Sequence, residues 1–309
     1  MEIQENQETE KKQEKIKFTQ KFEKFHDKNY KLLLLIPLTI LVFSLIYMAV
    51  FYSQNNDFIH KDISLTGGTS ITINEPITTA DLKQALSDKL ENINTREIYD
   101  LITREQIATI IETKTDGDQA KQILENYLGY ELNDENSSFE FTGSTLSESF
   151  YQQLLIAILF AFAFMAIVVF VIFRNFVPSI AVIISAFADI LMTLVLVNLL
   201  GIQMSSAGII AFLMLIGYSV DTDILLTTKV LKREGELNER IFKAFKTGIT
   251  MTLTSLLAIT FALIIVSSFS VVLTQIFLIL VIGLAFDLLN TWITNVSILK
   301  WYAKKKNEN

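Results

Sequence analysis

The chain of 309 residues is 51% hydrophobic, with only three prolines and a mean hydropathy of +0.41, which excludes an ordinary soluble domain and points to an integral membrane protein with one sizeable polar insert. Cysteine is absent and the two histidines, His26 and His60, stand apart, so disulfide staples and cysteine zinc sites are excluded and neither a metal nor a cofactor is expected. The net charge of −7 sums faces that a membrane would separate, and is informative only when divided among them.

Residues 1–31 are polar, with eight lysines and seven acids, and Phe18, Phe22 and Phe25 fall at i, i+4, i+7. That spacing suits an interfacial amphipathic turn or a partly helical, solvated cytosolic arm. Residues 32–52, LLLLIPLTILVFSLIYMAVFY, span about 31 Å at ~1.5 Å per residue and predict a first transmembrane helix. The run is too long for a signal peptide, and SQNNDF after it offers no small-residue cleavage site.

Residues 53–150 are the one block large enough for a folded polar domain. SITIN predicts a strand with Ile71 and Ile73 on one face. In ITTADLKQALSDKL, Thr78 reads as N-cap, Ile77 as a staple to Leu82, and Leu82, Leu86 and Leu90 as the buried stripe of a helix. REIYDLI and QIATIIET read as strands. GDQAKQILENYLG reads as a helix ending at Gly129, and SSFEF as a last strand. The order β-α-β-β-α-β predicts a ferredoxin-like α+β domain, with both helices on one face of a four-stranded antiparallel sheet and the other face free to bind.

Five further apolar segments follow, at 154–173, 179–200, 206–228, 247–266 and 271–299. The fold class is thus a polytopic α-helical membrane protein of six spans, the α+β domain lying between the first two. Six spans put both termini on one side. Lys and Arg number eight in the arm, six in 229–246 and four at Lys300, Lys304, Lys305 and Lys306, against none in 201–205 or 267–270. The positive-inside rule then places the termini in the cytosol, residues 301–309 being a short tail, and the domain, with 18 acidic and seven basic residues, outside.

Four carboxylates lie inside the apolar spans: Asp189, Asp221, Asp223 and Asp287. A carboxylate at mid-membrane costs roughly 2.5–3.5 kcal/mol on insertion scales and is a functional candidate by default. No Lys or Arg lies in these spans, so the acids are expected to be protonated, to face water or to share protons, which makes them candidates for an ion relay. Asp189, Asp221 and Asp287 fall about 10–18 Å from the inner boundary, while Asp223 could reach the inner interface. Ser219, Thr222, Thr250, Thr254, Thr291 and Asn295 are the supporting polar candidates, equally accounted for by interhelical hydrogen bonds. Asp221, next to the small Gly217 and Ser219, is expected to be the acid most sensitive to neutralisation. Asp223 lies about 200° further round the helix, so the two cannot face the same partner.

GYSVDTDILLTTKVLKR is similar to the fourth-helix signature of the SecF family in its archaeal form. DISLTGGTSITI, with Asp62, Gly67 and Gly68, resembles the family's exterior segment, its two glycines allowing a tight backbone approach. FAD at Asp189 and AFDLLNTWITN resemble its third and sixth helices, so the resemblance covers residues 32–300. It implies assistance to protein export through the SecY channel beside SecD, a similar six-helix chain, with translocating polypeptide as the third partner, the cell membrane as location and transmembrane ion flow as the proposed energy source. Nucleic acid is not an expected partner. The sequence departs from the bacterial pattern in placing Asp221-Thr222 where those members carry Asn-Asp. A half-size solute exporter is the rival of similar architecture, and a structural subunit without ion coupling the other. No phosphate-binding loop occurs, and no Tyr-Asp or Gly-x-Gly-Asp protease pair lies in the apolar spans, so no enzyme activity is expected.

Overall fold

The computed structural model describes residues 29–308 except 101, 102, 104, 232–234 and 269. The expected N-terminal arm and its phenylalanines therefore lie outside the described residues. Six helices are long and apolar enough to cross a membrane. The first, α1 (Leu35–Asn55), ends where Asn56 turns left-handed and returns its N–H to Tyr52 O. After a one-turn helix α2 (Ile63–Thr66), the chain enters β1 (Gly68–Ile73), α3 (Thr79–Leu86), β2 (Asn94–Tyr99), β3 (Gln106–Thr113), α4 (Gly117–Leu128) and β4 (Ser137–Thr142). The remaining spans are α5 (Ser144–Phe173), α6 (Phe176–Leu199), α7 (Ser206–Leu231), α8 (Leu237–Val266) and α9 (Val271–Leu289). The last runs through a π-helical stretch, Asn290–Asn295, into α10 (Val296–Glu308).

The four strands form one antiparallel sheet in the order β2-β3-β1-β4, with Ile71 opposite both Ile111 and Phe139. Period-2 alternation puts Ile71, Ile73 and Ile111 on one face, where they meet Leu82, Leu86 and Leu90 from α3 and its exit and Ala120 and Leu124 from α4. Thr78 does occupy the N-cap of α3, yet its side chain makes no capping bond. Asp116 does cap α4, accepting from the Asp118 N–H.

The opposite sheet face, expected to be free, looks onto the ends of the membrane helices across a polar cleft lined by Ser70, Thr72, Arg96 and Glu112 above and Ser205 and Gln275 below. Polar contacts tie the two sides of that gap together. Lys61 bridges to Met204 in a parallel register; Asn94 Nδ2 donates to Gln203 Oε1 at 3.0 Å; the Tyr99 N–H donates to Ser268 O at 3.1 Å.

Within the bundle, α6 and α7 are central and much of α9 is buried with them, whereas α1, α5 and α8 turn rows of large apolar side chains outward. α8 begins at Leu237, ten residues before the apolar span at 247, because its first turns are an amphipathic segment carrying the i, i+4 pair Glu239–Lys243 at 2.6 Å. The expected 229–246 loop is thereby reduced to the few residues between Leu231 and Leu237.

Candidate functional site: an intramembrane carboxylate cluster

Helix geometry decides which acids meet. On α6, Ser185, Ala186, Ala188 and Asp189 are all buried, because small residues there let neighbouring helices approach. On α7, Ser219, Thr222 and Asp223 point inward, while Gly217, Tyr218 and Asp221 point outward. The ~200° between Asp221 and Asp223 leaves only one of them inside. Asp223 is the inner acid, fully buried; Asp221 is exposed and does not join Asp189 and Asp287. Asp287, from α9, is 1% exposed.

Asp189 accepts from Ser219 Oγ at 2.6 Å and Asn290 Nδ2 at 2.7 Å, one donor on each oxygen. Asp223 Oδ1 accepts from Asn295 Nδ2 at 2.7 Å, Thr291 Oγ1 at 2.9 Å and Ser185 Oγ at 3.3 Å. Its Oδ2 is buried without a hydrogen bond among the described residues. Asp287 contacts hydroxyls only: Thr291 Oγ1 at 3.0 Å from Oδ1, and Thr222 Oγ1 at 3.1 Å from Oδ2 and 3.3 Å from Oδ1. Three spans thus present three carboxylates, linked by side-chain donors, and none of the three takes part in a salt bridge among the described residues. The described residues hold no cluster fit for a metal ion.

The π-helical stretch supplies most of the donors. Asn290, Thr291 and Asn295 all reach carboxylates, and the wider π turn brings 290 and 295 toward one inward face, where a regular α-helix would set them about 140° apart. Trp292, in the same stretch, packs edge-on against Phe245 at 5.0 Å and holds α8 to it.

Of the expected supporting residues, Ser219, Thr222, Thr291 and Asn295 touch the acids. Thr250 and Thr254 do not: they are exposed on α8 and return their hydroxyl protons to the backbone carbonyls of Lys246 and Thr250, one turn back. Ser185 and Asn290 complete the cluster and were missed from sequence. Asn290 sits three residues after Asp287 in an apolar run, the spacing that places both on one helix face.

The segment from Asp62 to Gly68 forms a second constellation. Asp62 caps α2, accepting from the Ser64 N–H at 2.8 Å and Ser64 Oγ at 2.6 Å. Burial pushes its carboxyl up to about 6; the Ser64 bonds oppose the shift and Glu112 adds to it. Gly67 closes α2 at φ +79°, and Gly68, at φ +147°, lies so close to β3 that a Cβ would stand 2.5 Å from Thr113 O.

Residues 121–305 match the family model for protein export membrane protein SecD/SecF, C-terminal. The chain is 41% identical over 283 residues to the protein-export membrane protein SecF of Methanocaldococcus jannaschii, covering 89% of this chain and 96% of that protein. It is 35% identical over 292 residues to that of Methanolacinia petrolearia, covering 94% and 98%. Among solved structures, SecDF, a translocon-associated membrane protein from Thermus thermophilus, superposes with a TM-score of 0.68 at 19% identity, over 89% of this chain and 38% of the SecDF chain.

Proposed function

Because the chain belongs to the SecF family of protein-export membrane proteins, we propose that it works beside a SecD-type chain at the SecY channel, and that ion movement through its carboxylate cluster drives its part in moving polypeptide outward. The observation that carries this reading is the gathering of Asp189, Asp223 and Asp287 from three spans into one buried network without a salt bridge. Packing alone does not require it, since an unpaired intramembrane acid is costly. One charge crossing 100 mV supplies about 2.3 kcal/mol, enough to bias a conformational cycle. The SecD partnership is supported by the superposition on less than half of a SecDF chain. It is also supported by Asp221, an acid on the outer face of α7 that a neighbouring membrane protein would shield from lipid.

In the same proposal the termini and the α7–α8 connection face the cytosol, and residues 53–150 form a ferredoxin-like exterior domain. The strand order β2-β3-β1-β4, with α3 and α4 on one face, supports that fold, and the lysine distribution supports the orientation. The protein acts as an accessory subunit, not an enzyme. The test is export of a secreted reporter in cells carrying Asp223→Asn or Asp287→Asn, with membrane abundance of the chain and its SecD partner followed alongside. Asn keeps size and hydrogen bonding while removing the titratable charge. Export should collapse in normally assembled variants; export at the unmodified rate would reduce the acids to packing residues.

A further inference from the structure

The hydroxyl of Thr291 lies 2.9 Å from Asp223 Oδ1 and 3.0 Å from Asp287 Oδ1, and a hydroxyl has one proton to give. If both acids were ionised, one of these contacts would set a hydroxyl lone pair against a carboxylate lone pair. Both become hydrogen bonds only when one acid is protonated and donates to Thr291 while Thr291 donates to the other. From these contacts we infer that Thr291 is the proton bridge of the cluster, and that the bridged proton rests on the Asp287 side.

The assignment to Asp287 follows from what competes for each donor. Asp223 is held by the Asn295 amide, which can only donate. Asp189 is likewise held by Asn290, with the Ser219 hydroxyl on its other oxygen. Asp287 has no amide donor, and each of its two hydroxyl neighbours has another acceptor in reach. Thr291 faces Asp223, and Thr222 lies 3.0 Å from the Ser219 carbonyl. Asp287 is therefore the acid whose surroundings ask it to donate. The titratable groups facing Thr291 are Asp223 from α7 and Asp287 from α9, with Asp189 of α6 beyond Asn290. The apolar parts of α1 and α8 bring no charged residue, and Lys300 on α10 lies nine positions on, about 13 Å along the axis.

The transfer balances without a further reactant. The Asp287 Oδ1–H bond breaks as its proton forms a bond to Thr291 Oγ1, and the original Thr291 O–H bond breaks as that proton joins Asp223 Oδ1. Thr291 ends neutral, one proton has moved from α9 to α7, and the negative charge has moved the other way. Two helices thereby exchange charge without moving a side chain far.

The inference rests on the ion-relay reading and is tested separately from it. The chain, reconstituted with its SecD partner in lipid, is titrated while the infrared carbonyl band of protonated carboxyls is followed, in the unmodified protein and in Thr291→Val and Thr291→Ser. Asp287→Asn identifies the band that Asp287 contributes. Valine keeps the shape of threonine and removes the bridge; serine keeps the bridge. The expected result is that Thr291→Val shifts the midpoint of the Asp287 band and lowers reporter export by about a hundredfold at normal abundance, with Thr291→Ser restoring both. An unchanged band and unchanged export in Thr291→Val would overturn the bridge even where Asp223→Asn and Asp287→Asn abolish export. A lesion that serine does not repair would overturn it as well, showing the position to be one of packing.

Discussion

Ser64 Oγ accepts a hydrogen bond from the backbone N–H of Ser206 at 2.9 Å, across 142 positions of sequence, while its own proton goes to Asp62 at 2.6 Å. Ser206 is the first residue of α7, so the Asp62 carboxyl is wired to the N-terminal end of the helix that carries Asp221 and Asp223. Its carboxyl is raised from an ordinary 3.8 to about 6, chiefly by burial. The folded protein therefore holds this proton more tightly than the unfolded chain. The stability it contributes is complete below about pH 4 and is lost as pH rises through 6. Thermal unfolding of the purified chain between those values should show the transition falling with rising pH, and Asp62→Asn, which still accepts from Ser64, should flatten that slope. A variant with the slope of the unmodified protein would show that Asp62 does not set it.

Gly68→Ala should destabilise the sheet domain by about 1–3 kcal/mol, because a side chain at φ +147° is strained and its Cβ would press on the Thr113 carbonyl within the β1–β3 ladder. Gly129→Ala is the control: it too has a positive φ, +80°, but nothing lies within 4 Å of its Cβ position, so its penalty should be the smaller. Limited proteolysis of the sheet domain in the two variants ranks them.

A Cβ at Gly248 would fall on the Trp292 ring. Gly248→Ala should therefore push α8 away from the π-helical stretch, at about 1–3 kcal/mol for overpacking a tight contact. A smaller ring at the partner should repair it, so Gly248→Ala combined with Trp292→Phe is expected to unfold at a higher temperature than Gly248→Ala alone. Additive losses in the double variant would mean that the two residues are not coupled.

An amine-reactive reagent that does not cross membranes should label the exposed Lys83 and Lys89 on intact cells and leave Lys305 and Lys306 untouched until the cells are opened. The reverse pattern would invert the proposed topology.

Asp223→Asn should impair export more than Asp221→Asn. The inner acid holds three donors and faces Asp189 and Asp287, whereas Asp221 has no hydrogen bond among the described residues and presents its charge to whatever lies beside the bundle. Reporter export from the two strains at matched abundance gives the order, and equal loss would show that Asp221 also serves the cluster.

That ranking reverses the expectation drawn from sequence, and the reason is physical. The 200° separation was legible, so one acid had to face in and the other out. Which one faced in depended on where the small residues of α6 and the donors of α9 were packed, and periodicity along one helix does not carry that. QIATIIET became β3 because it is short and rich in β-branched residues, and Leu82, Leu86 and Leu90 became core because their spacing was helical. The π stretch left no such mark. Asn290, Thr291 and Asn295 share a face only after the helix widens, so Asn290 could not be assigned to Asp189 from spacing alone. Thr250 and Thr254 misled because a hydroxyl in a membrane helix can satisfy itself on its own backbone as readily as on a neighbour.

Among the described residues the sheet domain meets the bundle at two places: Lys61, Asp62 and Asn94 on the residues before α7, and Tyr99 on Ser268 between α8 and α9. A body pinned at one point can swivel; pinned at two, it can only rock about the line joining them. Any movement of this domain against the bundle is therefore confined to a single axis, unless the bond from the β2 edge to Ser268 opens first. That one main-chain bond is the release catch that decides between a nod and a swing.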